Sequence, residues 1–510
     1  MGTKSNLKQS ANVENNLPEC LERGTKARLI PVIKDLRKEE QVVSVLLSTL
    51  MTVDELAMVL LGSLGHRYGT RAKLDCFTEV VCKKKIGTEN LRPDGFLIFN
   101  PGKKVWSALI EAKIGNNELN EDQISKYCQL AKLNGIDAVI TISNQFAALP
   151  THHPLKMSKK ATSGIDVYHW SWMYALTQAK LLLGDDNFKS EEQKYILQEA
   201  VRYLDHPSIG ISSFDRMNSE WKDIVSKIKS GAQLNKNSED VEKSVAAWHQ
   251  EQRDLCLKLS EDLKCYVAIK LSRSHKSDPG QRLADDCQEL VKNHRLLSEL
   301  EIPDTASPMQ VVVDVGKRTV ACSMKVDAPK DKKQNRSKVN WILKQLPDEN
   351  SNEIFVKASW PGRVSNTQEE LSKLKNDPDL LAKDHPSHIL QGFEVILVRD
   401  LVGKFAGQKT FIEEFEKTVE DFYDQVGQRL QNWIAPPPKM EKESEQPTEQ
   451  GKVQEQPKIE ETQDSSPEEE RRTEEVWPFP IKEESALDTI QGEEMPVELP
   501  MEGSPKATGE

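Results

Sequence analysis

The sequence predicts an α/β protein: a mixed sheet flanked by helices, then a helical connector and a second α/β or α+β domain. Three observations predict it. Short apolar runs of strand length, bounded by turn residues, recur between residues 76 and 173. Helix-period patterns at 39–64, 120–134 and 174–183 interleave with them. One run, Ala108-Leu109-Ile110, is apolar on consecutive positions, which marks a strand covered on both faces.

Residues 1–25 are polar and read as a loose leader with no secretory signal pattern in Met1 to Asn16. Glu39 to Leu64 reads as helix, ended by Gly62 and Gly65. Thr52 followed by Glu55 has capping-box spacing, so a joint near Thr52 would split it into two helices. Asp54 and Glu55 interrupt its apolar run, so no membrane span is expected. Strands follow at Cys76–Cys82, Asp94–Phe99 and Val105–Ile114, the last two joined by an Asn100-Pro101-Gly102 turn. Asn120 to Asn134 is a helix stopped by Gly135. Asp137–Ser143 reads as a buried strand, and Asp166–Met173 as an edge strand running into the helix Tyr174–Leu183. These elements fill a first domain at 26–185.

Residues 186–265 form a helical connector, with helices at Ser190–Leu204, Ser219–Lys229 and Ser238 to about Lys264. The last carries Val241, Val245, Trp248, Leu255, Leu259 and Leu263 at helical spacing. Such a stripe packs on a neighbouring domain or forms a dimerising coiled coil, so oligomeric state stays open. Residues 266–435 read as the second domain, with strands at 266–272, 309–313, 319–326, 353–359 and 392–398 and helices at 337–346, 368–376 and 410–433. No catalytic constellation stands out there. The basic run Lys330 to Lys338 is either a solvated loop or a phosphate contact. From 436 to 510 the chain is rich in Pro, Glu, Gln, Lys and Ser and is expected to be disordered. Trp477 and Phe479 form an aromatic island within it, a candidate docking segment for a protein partner.

Of 81 acidic and 69 basic residues, 21 and 8 lie in 436–510, leaving 60 and 61 in the rest. The net charge of -12 therefore belongs to the tail, and the remainder is nearly neutral. Acidity cannot be held against nucleic-acid binding by that part. A tail of this charge could also act as an intramolecular mimic of DNA. Eight cysteines without a CxxC pair or Cys/His ladder read as reduced thiols of a cytoplasmic protein.

The chemistry concentrates at two strand ends: Pro93-Asp94-Gly95 opens one strand, and Glu111-Ala112-Lys113 closes the next. The turn between them makes antiparallel neighbours, which brings Asp94 towards Glu111. Lys113 is two positions beyond Glu111 and leaves the same face. Mg²⁺ prefers oxygen ligands and usually takes one or two carboxylates, with the Ala112 carbonyl a further oxygen here. The blander alternative is an exposed Glu/Lys pair on an edge strand. The apolar run before Glu111 argues against it, because charge at the end of a covered strand needs a partner or a metal.

Pro93-Asp94 followed by Glu111-Ala112-Lys113 resembles the signature of the PD-(D/E)xK nuclease superfamily. The order helix, three-stranded meander, helix, strand is similar to its restriction-endonuclease-like core over residues 40–180. The resemblance implies that Asp94 and Glu111 bind Mg²⁺ or Mn²⁺ and that Lys113 assists the water or stabilises the transition state. It implies that Gln123, with Tyr127 one turn on, helps position Lys113 or phosphate. It also implies a further glutamate ligand, for which Glu55 is the candidate and Glu79 the competitor. The expected function is a metal-dependent nuclease, with DNA the first-choice substrate. The alternative is a catalytically silent nuclease-fold scaffold or nucleic-acid-binding module. His66, Arg67, His152, His153, Trp170 and Trp172 have ordinary readings: helix-end and surface loop for the first four, core packing for the tryptophans.

Overall fold

The computed structural model describes residues 18–435 except 28, 30–37, 89–90, 103, 185–187, 189 and 348–351. The expected disordered tail, its island of Trp477 and Phe479, and residues 1–17 of the leader lie outside the described residues. The chain is α/β, with a mixed six-stranded sheet and a second, antiparallel seven-stranded sheet.

The first half runs β1 (Leu21–Lys26), α1 (Lys38–Thr52), α2 (Asp54–Gly62), β2 (Lys73–Cys82), β3 (Gly95–Asn100), β4 (Trp106–Ala112), α3 (Glu121–Asn134), β5 (Ala138–Ser143), β6 (Asp166–Ser171) and α4 (Trp172–Gly184). Spatial order follows chain order. β1 to β4 are antiparallel, while β5 and β6 join β4 in parallel. Strand β1 corrects the leader reading. It pairs with β2 through irregular register, and Leu21 is buried, so the leader's last residues belong to the sheet.

Alternation along the strands sorts side chains to two cores. Ala108, Ile110, Ala112, Ile140 and Ile142 meet the helices α1, α2 and α4. Leu109 and Val139 meet α3 through Ile124, Tyr127, Cys128 and Ala131. Glu111 occupies an odd position and so belongs to the α3 face. The α1–α2 joint falls at Val53 with a 106° bend. The capping box does not form: Val53 is the N-cap, and the Thr52 hydroxyl instead donates back to Ser48 O at 2.7 Å. Among the described residues no single helix is long and apolar enough to cross a membrane. The apolar residues of the bent pair are core.

The connector contains α5 (Glu191–Leu204), α6 (Trp221–Lys229) and α7 (Glu239–Leu263). Its apolar stripe is consumed within the chain. Val241, Val245, Trp248, Leu255 and Leu259 pack into the core of the second half, and Leu257 on another face enters the core of the first. Helix α7 is therefore the wall shared by both halves.

The second half runs β7 (Ala268–Ile269), α8 (Arg273–Ser277), α9 (Pro279–Asn293), β8 (Arg295–Glu301), β9 (Met309–Asp314), β10 (Thr319–Asp327), α10 (Asn335–Leu343), β11 (Ile354–Ser359), β12 (Thr367–Glu370), α11 (Leu371–Asn376), β13 (Gly392–Asp400) and α12 (Gln408–Phe422). Its sheet order is β12-β11-β13-β10-β9-β8-β7. The run 330–338 is only partly a solvated loop. Lys338 is buried and donates to Leu390 O at 2.7 Å, and Arg336 pairs with Asp379.

Gly95 shows why the strand after Asp94 begins as it does. A Cβ there would sit 2.8 Å from Leu47 Cδ1 and 3.3 Å from Ile110 Cβ. Both neighbours are fully buried. Gly95→Ala is expected to lower stability by about 1–3 kcal/mol through overpacking, read as a lower urea midpoint at unchanged m-value.

Candidate functional site

Asp94 and Glu111 meet because β3 and β4 are paired with Gly95 opposite Ile110. Asp94 Oδ2 accepts the Ala112 N–H at 2.8 Å, which ties it to the end of the neighbouring strand. Lys113 Nζ donates to Glu111 Oε1 at 2.5 Å and to the Ala112 carbonyl at 3.2 Å. Gln123 Nε2 donates to the same Glu111 oxygen at 2.7 Å and to the Tyr127 hydroxyl at 3.2 Å. The Tyr127 hydroxyl donates onward to Arg92 O at 3.2 Å. Asp94, Glu111, Ala112, Lys113 and Gln123 are thus brought together, with Tyr127 one helical turn beyond Gln123.

Glu55 is not among them. Both its carboxylate oxygens are buried without a hydrogen-bond partner. It starts α2, where neighbouring Asp54 accepts from Tyr68, whose ring stacks on Phe99 near the far end of β3 from Asp94. The competitor Glu79 is exposed, at a left-handed position (φ 53°) in β2. The first helix does supply a glutamate, from its opposite end. Glu39, in the first turn of α1, accepts from Asn117 Nδ2 at 2.8 Å and from the Ile114 N–H at 3.3 Å, and lies 4.0 Å from Lys113 Nζ. A 15-residue helix is about 22 Å long, so one end of α1 reaches the site and the other does not.

Burial raises the Asp94 pKa well above its ordinary value, and repulsion from Glu111 adds to this; the Ala112 N–H and Lys113 oppose it without prevailing. Burial also raises Glu111, against the pull of Lys113. Burial works to lower Lys113, but Glu111, Asp94 and Glu39 together hold its pKa above the ordinary value. Lys113 is therefore a persistent cation. Glu111 is 2% exposed, and its Oε2 has no hydrogen-bond partner. A buried, unpartnered carboxylate oxygen beside a second carboxylate and a backbone carbonyl is a donor set that suits a hard divalent cation.

The strands beyond β4 support this corner. Glu111, Thr141 and His169 lie in register across β4, β5 and β6. The Leu155 N–H donates to His153 Nδ1 at 3.0 Å, so His153 Nε2 carries its proton towards the Thr141 hydroxyl, 3.0 Å away. That hydroxyl faces His169 Nδ1 at 2.9 Å, and His169 Nε2 reaches Gln145 O at 2.8 Å. Two neutral rings satisfy this arrangement, and the Thr141 hydroxyl also lies 3.2 Å from Tyr168 O. Burial lowers the pKa of His153 to about 4 and of His169 to about 3, in agreement. His152 is buried as well, 2.9 Å from Lys276 O through Nε2. The surface-loop expectation for His152 and His153 is corrected: the loop after Pro150 folds inward onto polar partners. His66 lies against Trp106, with ring centroids 4.1 Å apart, at the far end of the sheet. Trp170 and Trp172 are core residues, and Trp172 Nε1 donates to Lys113 O at 2.8 Å.

Beyond Lys113 the chain is tied to the connector. The Gly115 N–H donates to Gly210 O at 2.9 Å, and Asn144 Nδ2 donates to both carbonyls. Gly210 has φ +86°, and a Cβ on it would lie 3.2 Å from Gly115 N. A cleft of about 940 Å³ lies elsewhere, bounded by His152, His249, Asp278 and Arg282. The carboxylate corner does not line it.

The closest gathering of carboxylates among the described residues is a different one. Ligand oxygens of Glu251, Asp254 and Glu416 lie within 4.8 Å of one another, close enough to share a metal ion. Residues 251 and 416 are too distant in sequence for spacing to reveal the group. All eight cysteines are free. No family model, curated protein or solved structure matches this chain.

The raised Asp94 pKa has a consequence for stability. A carboxyl that holds its proton more tightly when folded loses stability as pH rises from its unfolded value, about 4, through its folded value. Asp94→Asn removes that charge. In a chelating buffer it is expected to stabilise the protein on the order of 1 kcal/mol at pH 8. The gain should vanish near pH 4, as measured by denaturant titrations across that range.

Proposed function

We propose that the first half is a restriction-endonuclease-like core that hydrolyses phosphodiester bonds of nucleic acid, with DNA the expected substrate. The observation that carries this reading is the convergence of Asp94, Glu111 and Lys113 at adjoining strand ends, with a buried Glu111 oxygen lacking any partner. The resemblance to the PD-(D/E)xK pattern points the same way. The near-neutral charge outside the tail does not oppose nucleic-acid binding.

Asp94, Glu111 and the Ala112 carbonyl are the oxygens that would hold Mg²⁺ or Mn²⁺, with Glu39 bordering them 4.0 Å from Lys113 Nζ. Such a cation, when bound, would make a water acidic enough to attack phosphorus and would offset charge on the phosphate. Lys113 stays protonated, so it donates hydrogen bonds to the phosphate or to the attacking oxygen and does not serve as the base. Gln123 holds Oε1 of Glu111 and leaves Oε2 without a hydrogen-bond partner. Tyr127 fixes Gln123 in turn, so both are positioning residues.

Purified full-length chain incubated with linear, circular and single-stranded DNA should cut only with Mg²⁺ or Mn²⁺ present. Asp94→Ala, Glu111→Ala and Lys113→Ala should each lower the rate by about 10²–10⁴-fold with circular dichroism unchanged. Cleavage that persists in all three variants would sink the reading. Nucleic-acid binding without any cleavage by the wild type would favour the scaffold alternative.

The two glutamates of the first helical pair separate cleanly in a second experiment. Glu39→Gln is expected to raise the Mn²⁺ concentration needed for half-maximal cleavage by about 10-fold or more. Glu55→Gln should leave that concentration unchanged. The reverse outcome would return Glu55 to the site.

A further inference from the structure

The second carboxylate group lies where α7 meets α12, in the shared wall of the molecule. Glu251 and Asp254 are three residues apart on α7 and leave the same face. Glu416 approaches from α12. Lys258, one turn further along α7, lies 2.9 Å from Asp254 Oδ2 and 2.5 Å from Glu416 Oε1. The Phe214 N–H donates to Asp254 Oδ2 at 3.0 Å.

Charge does not balance here. Were all three carboxylates ionised, one lysine would leave two negative charges; burial, with repulsion from Glu416 and Asp254, raises the Glu251 pKa well above its ordinary value and opposes that state. The next cation along the helix, Arg253, is engaged elsewhere: its guanidinium lies 5.0 Å from the Tyr174 ring centroid and 5.8 Å from that of Tyr266. A separate observation points to a ligand. Glu251 and Asp254 are both 0% exposed, yet both oxygens of Glu251 and Oδ1 of Asp254 have no hydrogen-bond partner. Lysine and the backbone N–H occupy only Oδ2 of Asp254 and Oε1 of Glu416. A proton on Glu251 would lower the charge by one and still leave buried acceptors unpartnered, each a cost of about 1–3 kcal/mol.

We propose that Glu251, Asp254 and Glu416 form a structural site for one hard divalent cation of the Mg²⁺, Mn²⁺ or Ca²⁺ class. The ligands are all oxygen, which selects this class over softer metals. Ligand atoms within 4.8 Å of one another can share a single ion once the side chains draw in to bonds of about 2.1–2.4 Å. Its two charges balance the cluster. Glu416 is partly exposed and marks the route in, its side chain being 17% accessible. The ion would join α7, α12 and, through Asp254, the chain at Phe214 that leads out of the first half. This site is independent of the nuclease reading, because none of its residues belongs to the Asp94 corner.

The test is thermal unfolding of the full chain, titrated separately with Ca²⁺, Mn²⁺ and Mg²⁺ after chelation. At least one cation is expected to raise Tm by several degrees in the Asp94→Asn/Glu111→Gln double variant, in which the first corner holds no ion. Added to that double variant, Glu251→Gln should abolish the shift, and so should Glu416→Gln, a rim substitution that leaves the buried positions alone. Isothermal titration of the double variant should give about one ion per chain. The proposal is overturned if no cation shifts the double variant, or if the shift survives there after both Glu251→Gln and Glu416→Gln.

Discussion

The parallel pairing of β4 with β5 is the constraint on which the candidate corner depends. It continues one residue past the end of β4, where the Lys113 N–H donates to Ile142 O at 2.8 Å. That bond, with Trp172 held on the Lys113 carbonyl, fixes the backbone of the lysine on both sides. Parallel strands are buried on both faces, so the polar row at Glu111, Thr141 and His169 has to be satisfied within the protein. Thr141 and the two histidines satisfy one another. Glu111 is left with one oxygen, Oε2, that has no hydrogen-bond partner.

The topology of the first half was largely legible in the sequence, because its strands are apolar runs with clear turns. Asp94, Glu111 and Lys113 were found because a hairpin turn joins their strands and a two-residue spacing fixes a shared face. Gln123 and Tyr127 are one turn apart on a helix and were legible through the resemblance. Glu39 was missed for a physical reason. Sequence period identifies the helix, but which of its ends meets the strand ends is set by tertiary packing. Strand β1 was missed because its residues, LERGTK, carry one apolar anchor. In the second half, β8 alternates leucines with charged residues (RLLSELE), which blurs strand and helix patterns. Helix α9 carries only two fully buried apolar residues, Cys287 and Leu290, so its period is faint; its start at Asp278-Pro279 is the better signal.

Helix α7 explains how two cores share one compact chain. Trp248 serves the second core, with its ring 5.0 Å from that of Phe415 and its Nε1 donating to Leu297 O at 3.2 Å. Arg253 faces Tyr174 of α4 and Tyr266 instead. Gln252 donates to Leu297 O at 2.7 Å and accepts from Arg282 of α9. A helix buried on several sides has no solvent face for its polar residues, so each must find a partner in a surrounding element. The carboxylates opposite Glu416 are the place where that accounting fails without an added positive charge. The same composition, three carboxylates and one lysine, recurs around Asp94, where Lys113 pairs with Glu111 and lies 4.0 Å from Glu39.

The backbone stitch between Gly115 and Gly210 ties the loop that follows the candidate lysine to a segment almost a hundred positions later. A Cβ on residue 210 would stand 3.2 Å from the main chain at 115, on a backbone of positive φ that side chains rarely adopt, so the two loops lie this close because position 210 is bare. Bulk at 210 would strain that backbone and push the stretch after Lys113 outward by a few tenths of an ångström, so the spacing of the two loops is held by an atom that is missing.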